Sequence, residues 1–149
     1  MALYQKCLKW PFGQKIFSMM VSRMAPYFGT IKPKITQLRP NYCECFIKKH
    51  NRVHNHIKTM HVIAIANGLE MAMGVMAEAS IPKHLRWIPK GMNLDYTAKA
   101  GSDIRCVAEV KPEDWQVGDM PVKVTAYDVN DVVVVKGEIN LWITEKGAK

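Results

Sequence analysis

The run from Met60 to Ala79 limits the possible folds of this chain more than any other segment. It is built of Ala, Met, Leu, Ile and Val with few interruptions, and its only ionisable residues are His61, Glu70 and Glu78. A helix that is apolar nearly all round must be enclosed by other elements. Ile81-Pro82 ends it. The downstream segments 92–98, 104–110, 122–129 and 132–144 are rich in β-branched residues, partly alternate, and are split by polar gaps. Asn130-Asp131 reads as a hairpin turn, and Gly101-Ser102-Asp103, Glu113-Asp114 and Gly118-Asp119 mark other turns. Upstream, residues 31–49 read as two short strands, or one strand bent at Arg39-Pro40-Asn41, with Cys43 and Cys45 sharing a face. An antiparallel sheet curled around one hydrophobic helix is the economical α+β solution.

The 149 residues fit a single domain, 1–149, with a helical N-terminal extension over 1–29 and a core over 30–149. Hydrophobic residues at 48% and charged residues at 23% exclude a disordered tail, a collagen-like repeat and a coiled coil. No 18 consecutive apolar residues occur, which argues against a polytopic membrane protein. The four cysteines, Cys7, Cys43, Cys45 and Cys106, do not resemble a disulfide framework, and the N-terminus does not resemble a signal peptide. A cytoplasmic protein with reduced thiols is expected.

Charge is strongly asymmetric. Residues 1–60 hold 11 Lys/Arg and one acid, Glu44, whereas residues 61–149 hold 10 Lys/Arg and 12 acids. Such a basic field attracts nucleic acid, an anionic membrane or a polyphosphate cofactor. Residues 4–28 read as two helical pieces broken at Trp10-Pro11, with Pro11 suited to a first helical turn. Ile16, Phe17, Met20, Val21 and Met24 form a stripe that either packs on the domain or lies on a membrane surface.

Chemistry is most plausible where the long helix begins. Its first turn presents unpaired N–H groups and the positive end of the helix dipole. The Val62 amide could polarise a carbonyl oxygen there. Glu70 lies eight residues on, in apolar surroundings, with no basic residue at i±3 or i±4. Burial would raise the pKa of such a carboxylate. It is either catalytic or satisfied by hydrogen bonds or an ion pair at a subunit interface. Alone, His61 reads as a helix-start or packing residue and Asn55 as a loop cap.

Asn55, His61 six residues later and Glu70 nine after that reproduce a family spacing, and the 93–104 segment matches its strand–turn–strand. Over roughly residues 30–144 the chain resembles the hotdog-fold thioesterase superfamily, especially the phenylacetate-degradation-type acyl-CoA thioesterases. The resemblance implies an antiparallel sheet wrapped around one long helix, at least a homodimer, and hydrolysis of a thioester to acid and free CoA. It implies Glu70 as general base or nucleophile, the Val62 amide as the carbonyl's donor, and Asn55 and His61 as positioning groups. It places Glu70 opposite a loop bearing Asn55 from the other subunit. Where the family often has Gly-Gly after the His, this chain has Val62-Ile63. Lys58, Lys83, Arg86 and Lys90 are candidates for the CoA phosphates, and Trp87 for packing or for stacking on adenine. The substrate is an acyl-CoA or an acyl-carrier thioester, and neither metal nor redox cofactor is required.

Three alternatives remain. His56 and Glu70 have the fourteen-residue spacing of hotdog-fold hydroxyacyl dehydratases, without the Pro-Gly-rich approach to the helix. His50, His54, His56 and His61 with Cys43 and Cys45 could in principle hold zinc, at spacings that match no closed finger. The basic N-terminal part could instead make the protein a non-catalytic module binding acyl-CoA, a membrane surface or RNA, though nucleic acid is disfavoured by the absence of an interleaved aromatic motif.

Overall fold

In a computed structural model, which describes residues 1–147, the apolar run becomes helix α3, Val62–Ser80, and eleven of its nineteen residues are buried. By length and composition it could cross a bilayer; here it is the core that the rest of the chain encloses. Ahead of it come α1 (Ala2–Leu8), α2 (Gly13–Met24), a 3-10 segment (Pro26–Ile31), β1 (Lys34–Arg39) and β2 (Tyr42–Ile47). After it come β3 (Leu85–Tyr96), β4 (Ile104–Glu109), β5 (Gly118–Tyr127) and β6 (Val133–Glu145). Ala148 and Lys149, the last two residues of the expected domain, lie outside the described residues.

All six strands form one antiparallel sheet in the order β1-β2-β4-β5-β6-β3. This is the hotdog arrangement, a sheet wrapped around one long helix with extra N-terminal helices. Every second residue of β2 (Cys43, Cys45, Ile47) is buried, as are Ile104, Cys106 and Ala108 of β4. They meet Leu69, Met73 and Met76 of α3 in one continuous core. The four cysteines are free and buried.

Two strands start earlier than their composition predicts, and proline is the reason. β3 begins at Leu85 and passes through Pro89, with a bulge between Pro89 and Gly91. β3 is the sheet edge, so a missing N–H can face outward there. β5 begins at Gly118, so Gly118-Asp119 lies within a strand instead of marking a turn. Its Pro121 is paired with Asn140 on one side, while β4 reaches no further than Lys123 on the other. Pro11 does not open a helix: α2 starts after Phe12, which adopts a left-handed conformation with φ 61°.

The N-terminal helices also differ from expectation. Of the stripe on α2 only Phe17 is buried, edge-on to Tyr4 with ring centroids 5.0 Å apart. Their inner face closes the outer edge of β1. Ser18 Oγ accepts from the Ile35 N–H at 2.7 Å. Gln14 Nε2 and Tyr4 Oη donate to the Thr36 carbonyl at 2.8 and 3.3 Å. Side chains thus occupy backbone groups that a further strand would need.

Candidate functional site

The loop before α3 is organised by Asn55. Its Oδ1 accepts from the N–H groups of Ile57 and Thr59, each at 3.1 Å, and its Nδ2 donates to Thr59 Oγ1 at 2.7 Å. The turn carries Lys58 at its tip in a left-handed conformation, φ 61°. Backbone bonds from Met60 N–H to the Ala100 carbonyl (2.8 Å) and from His61 N–H to the Val53 carbonyl (2.7 Å) fix the loop beside the sheet.

His61 is the N-cap of α3, and its Nδ1 accepts from the Ile63 N–H at 3.1 Å. With Nδ1 as acceptor, the neutral ring carries its proton on Nε2. The Ala64 and Ile65 N–H groups both turn back to the His61 carbonyl. The Val62 N–H has no acceptor among the described residues. It remains one of the unpaired donors that a helix start presents.

These groups border a cavity of about 280 Å³. Asn55, His61 and Val62 line it together with the apolar side chains of Met60, Ile65, Val134 and Val135. Ile63, although bulky, is exposed and not part of the wall. Tyr96 and Lys99, at the end of β3 and just after it, also line the cavity. Sequence reasoning assigned neither to the site, although both lie in the strand–turn–strand segment that signalled the family.

Glu70 is not in this cavity. Eight residues of helix place it about 12 Å along the axis from Val62. It is half-buried rather than buried, and no described residue pairs with it. At helical spacing it belongs to the stripe Ile63, Asn67, Glu70, Gly74 and Glu78, whose far end meets Trp87 of β3. Asn67, one turn earlier, is buried under the 3-10 segment, its Nδ2 3.3 Å from the Tyr27 carbonyl.

The four cations proposed for CoA do not converge within one chain. Lys58 stands on the loop beside the cavity, whereas Lys83 and Arg86 follow the opposite end of α3, about 28 Å away along the helix. Arg86 Nε donates to Thr144 Oγ1 at 2.9 Å. Lys90 is paired with Asp119 at 2.6 Å and lies 5.0 Å from the centre of the Trp142 ring. Trp87 packs near Gly74 and donates to Glu78 Oε1 at 3.0 Å. Among the described residues no three His, Cys, Asp or Glu side chains gather in a metal-holding group.

Comparison with known proteins adds the family. The model of a domain of unknown function, DUF4442, matches residues 13–143. The solved structure of a structural-genomics protein designated APC5556 is 40% identical, covers 98% of this chain and 100% of its own, and superposes with a TM-score of 0.86. The Pseudomonas aeruginosa protein PA5026, described as a probable thioesterase, is 18% identical over 92% of this chain and 97% of its own, with a TM-score of 0.78. A thioesterase family protein from Silicibacter pomeroyi is 17% identical over 91% of this chain and 100% of its own, with a TM-score of 0.72. No curated protein matches the chain.

Proposed function

The chain belongs to the DUF4442 family and has the fold of thioesterase-family hotdog proteins, and from that premise we propose that it is a cytoplasmic acyl-CoA thioesterase working as a homodimer. One observation carries the reading: the unpaired Val62 N–H opens α3 on the wall of a largely apolar cavity. An acyl thioester seated there has its carbonyl oxygen on the amide, which stabilises the oxyanion as it forms. Water attacks the carbonyl carbon and gives its proton to Glu70. The tetrahedral intermediate collapses, the C–S bond breaks, and the leaving CoA thiolate takes the proton back from Glu70, which regenerates the carboxylate. His61, holding its proton on Nε2, orients the carbonyl or the water, and Asn55 sets the loop that carries both.

A general base must lie within hydrogen-bond reach of the water it activates. Within one chain Glu70 is about 12 Å from the amide, so the base for each cavity comes from the partner chain. The exposed edge of β3, with Ile88, Met92 and Tyr96 on it, supplies a surface for that pairing. Lys99, which lines the cavity, and Lys58, on the loop that borders it, are the first candidates for the CoA phosphates.

The test is thiol release from short-chain, long-chain and aromatic acyl-CoAs and from acyl-carrier thioesters. Glu70→Gln is expected to lower kcat by at least about a hundredfold while leaving the dimer intact. Mixing inactive Glu70→Gln and His61→Ala chains restores activity if the site is composite. Full activity in Glu70→Gln sinks the role of that carboxylate. No hydrolysis of any substrate by a folded dimer sinks the enzymatic reading.

A further inference from the structure

The N-terminal helices give Tyr4, Cys7 and Phe17 to the core and Gln14 and Ser18 to the β1 edge, and leave much of their apolar surface exposed. Among the described residues, nine of the eighteen exposed large hydrophobic residues fall within residues 1–27. Packing does not require them, because the inner face already closes the β1 edge. Leu3, Leu8, Trp10, Phe12, Ile16 and Met19 border two hollows at the α1–α2 corner. Trp10 is 67% exposed and Phe12 81%. Phe12 is held in the left-handed region, an unfavourable place for a bulky side chain. The corner is also tight: a Cβ on Gly13 would meet the backbone carbonyl of Cys7 at 2.0 Å. The fold therefore holds an aromatic tip outward.

Cations share the N-terminal segment with this tip. Lys6, Lys9, Lys15, Arg23, Lys32 and Lys34 are all exposed. None is in an ion pair among the described residues. No acid precedes Glu44. Two neighbouring hollows show that apolar and basic groups share one face. One, of about 740 Å³, is lined by Phe12, Met19, Lys15, Lys32 and Lys34. The other, of about 250 Å³, is lined by Leu3, Lys6, Trp10 and Ile16.

We propose that this N-terminal face docks the protein on an anionic phospholipid bilayer, with Trp10 and Phe12 entering the interface and the lysines facing the headgroups. Charge complementarity identifies the partner. An unbroken basic field matches an anionic leaflet, and aromatic and methionine side chains suit the boundary between headgroup and acyl chain. A purely electrostatic partner such as RNA would leave the apolar half of the face in water. The face lies at the β1 end of the sheet, opposite β3, so subunit pairing through β3 leaves it uncovered. The inference stands apart from the catalytic reading and needs no activity to test it.

The experiment is flotation of the full chain with phosphatidylcholine vesicles, with and without phosphatidylglycerol, while tryptophan emission is followed. Binding is expected only to the anionic vesicles, with a blue shift, and it weakens in high salt. A Lys6→Gln, Lys9→Gln, Lys15→Gln triple variant should bind about a hundredfold more weakly, roughly fivefold per cation. Trp10→Ser with Phe12→Ser should lose at least about tenfold and abolish the blue shift. Val117→Ser with Val129→Ser, exposed apolar residues elsewhere on the surface, should bind as wild type. Thermal melts of every variant confirm folding. The proposal is overturned by failure to float with anionic vesicles, by equal loss in the control pair, or by salt-sensitive RNA binding without vesicle binding.

Discussion

Gly137 is the position where a single methyl group should do most harm. It lies in β6, opposite Leu94 of β3 on one side and Val124 of β5 on the other. A Cβ built there would sit 2.0 Å from the Asn93 carbonyl oxygen and 3.0 Å from the Leu94 Cα. Both are backbone atoms, so no side-chain rotation relieves the clash and β3 must move away from β6. Two or three flanking ladder hydrogen bonds then lengthen, each worth about 1 kcal/mol, for a total loss of about 3 kcal/mol. For a chain of this size that corresponds to a fall in Tm of about 6–12 °C. Gly91→Ala is the control, because nothing lies within 4 Å of its added Cβ. It should change stability by no more than about 0.5 kcal/mol. Thermal unfolding followed by circular dichroism reads both. If Gly137→Ala melts within about 2 °C of wild type, the β3–β6 approach described here is wrong.

Other consequences can be measured as directly. Burial holds the Cys45 thiol at a pKa of about 12 and pushes Cys43 and Cys106 well up, while burial and Glu44 raise Tyr42 to about 12. The folded state therefore keeps protons that the unfolded chain releases, and stability present below about pH 9 should fall toward pH 12 by up to about 1.4 kcal/mol per unit for each group. Urea unfolding at stepped pH tests this, and a flat profile from about pH 9 to 11 contradicts it. Arg105 meets Glu44 at 3.3 Å, Asp131 at 2.7 Å and the Tyr127 ring at 4.5 Å. Its partial exposure limits the loss in Arg105→Met to about 1 kcal/mol in chemical denaturation. His61→Ala should cost about 1 kcal/mol by removing a cap, and His61→Asn should restore that stability but not hydrolysis. Recovery of both in His61→Asn would limit His61 to capping.

The helix that organises the fold was legible because nineteen largely apolar residues, interrupted only by the carboxylates Glu70 and Glu78, call for enclosure by other elements. The alternating cores of β2 and β4 were legible for a similar reason: Cys43, Cys45 and Cys106 are buried where period two places them. The first half of β3 was hidden by Pro89, which reads locally as loop and is tolerated at a sheet edge. That Glu70 is only half-buried was not legible either. Apolar neighbours in sequence suggested burial, but three-dimensional burial depends on which helix face the sheet covers. Likewise Lys58 and Lys83 both flank α3 in sequence yet are separated by the full length of the helix. On α2 the spacing of Ile16, Met20 and Met24 correctly indicated a helix but not which side would face water.

The unequal margins of the sheet set how this protein can associate. One margin is sealed by Ser18, Gln14 and Tyr4, and the other, β3, is bare. A sheet of that kind can be continued in only one direction. Once two copies meet bare side to bare side, the joined sheet presents only sealed borders and growth stops. Filament formation, a hazard for any exposed strand, is thus blocked by the N-terminal helices rather than by the strands themselves.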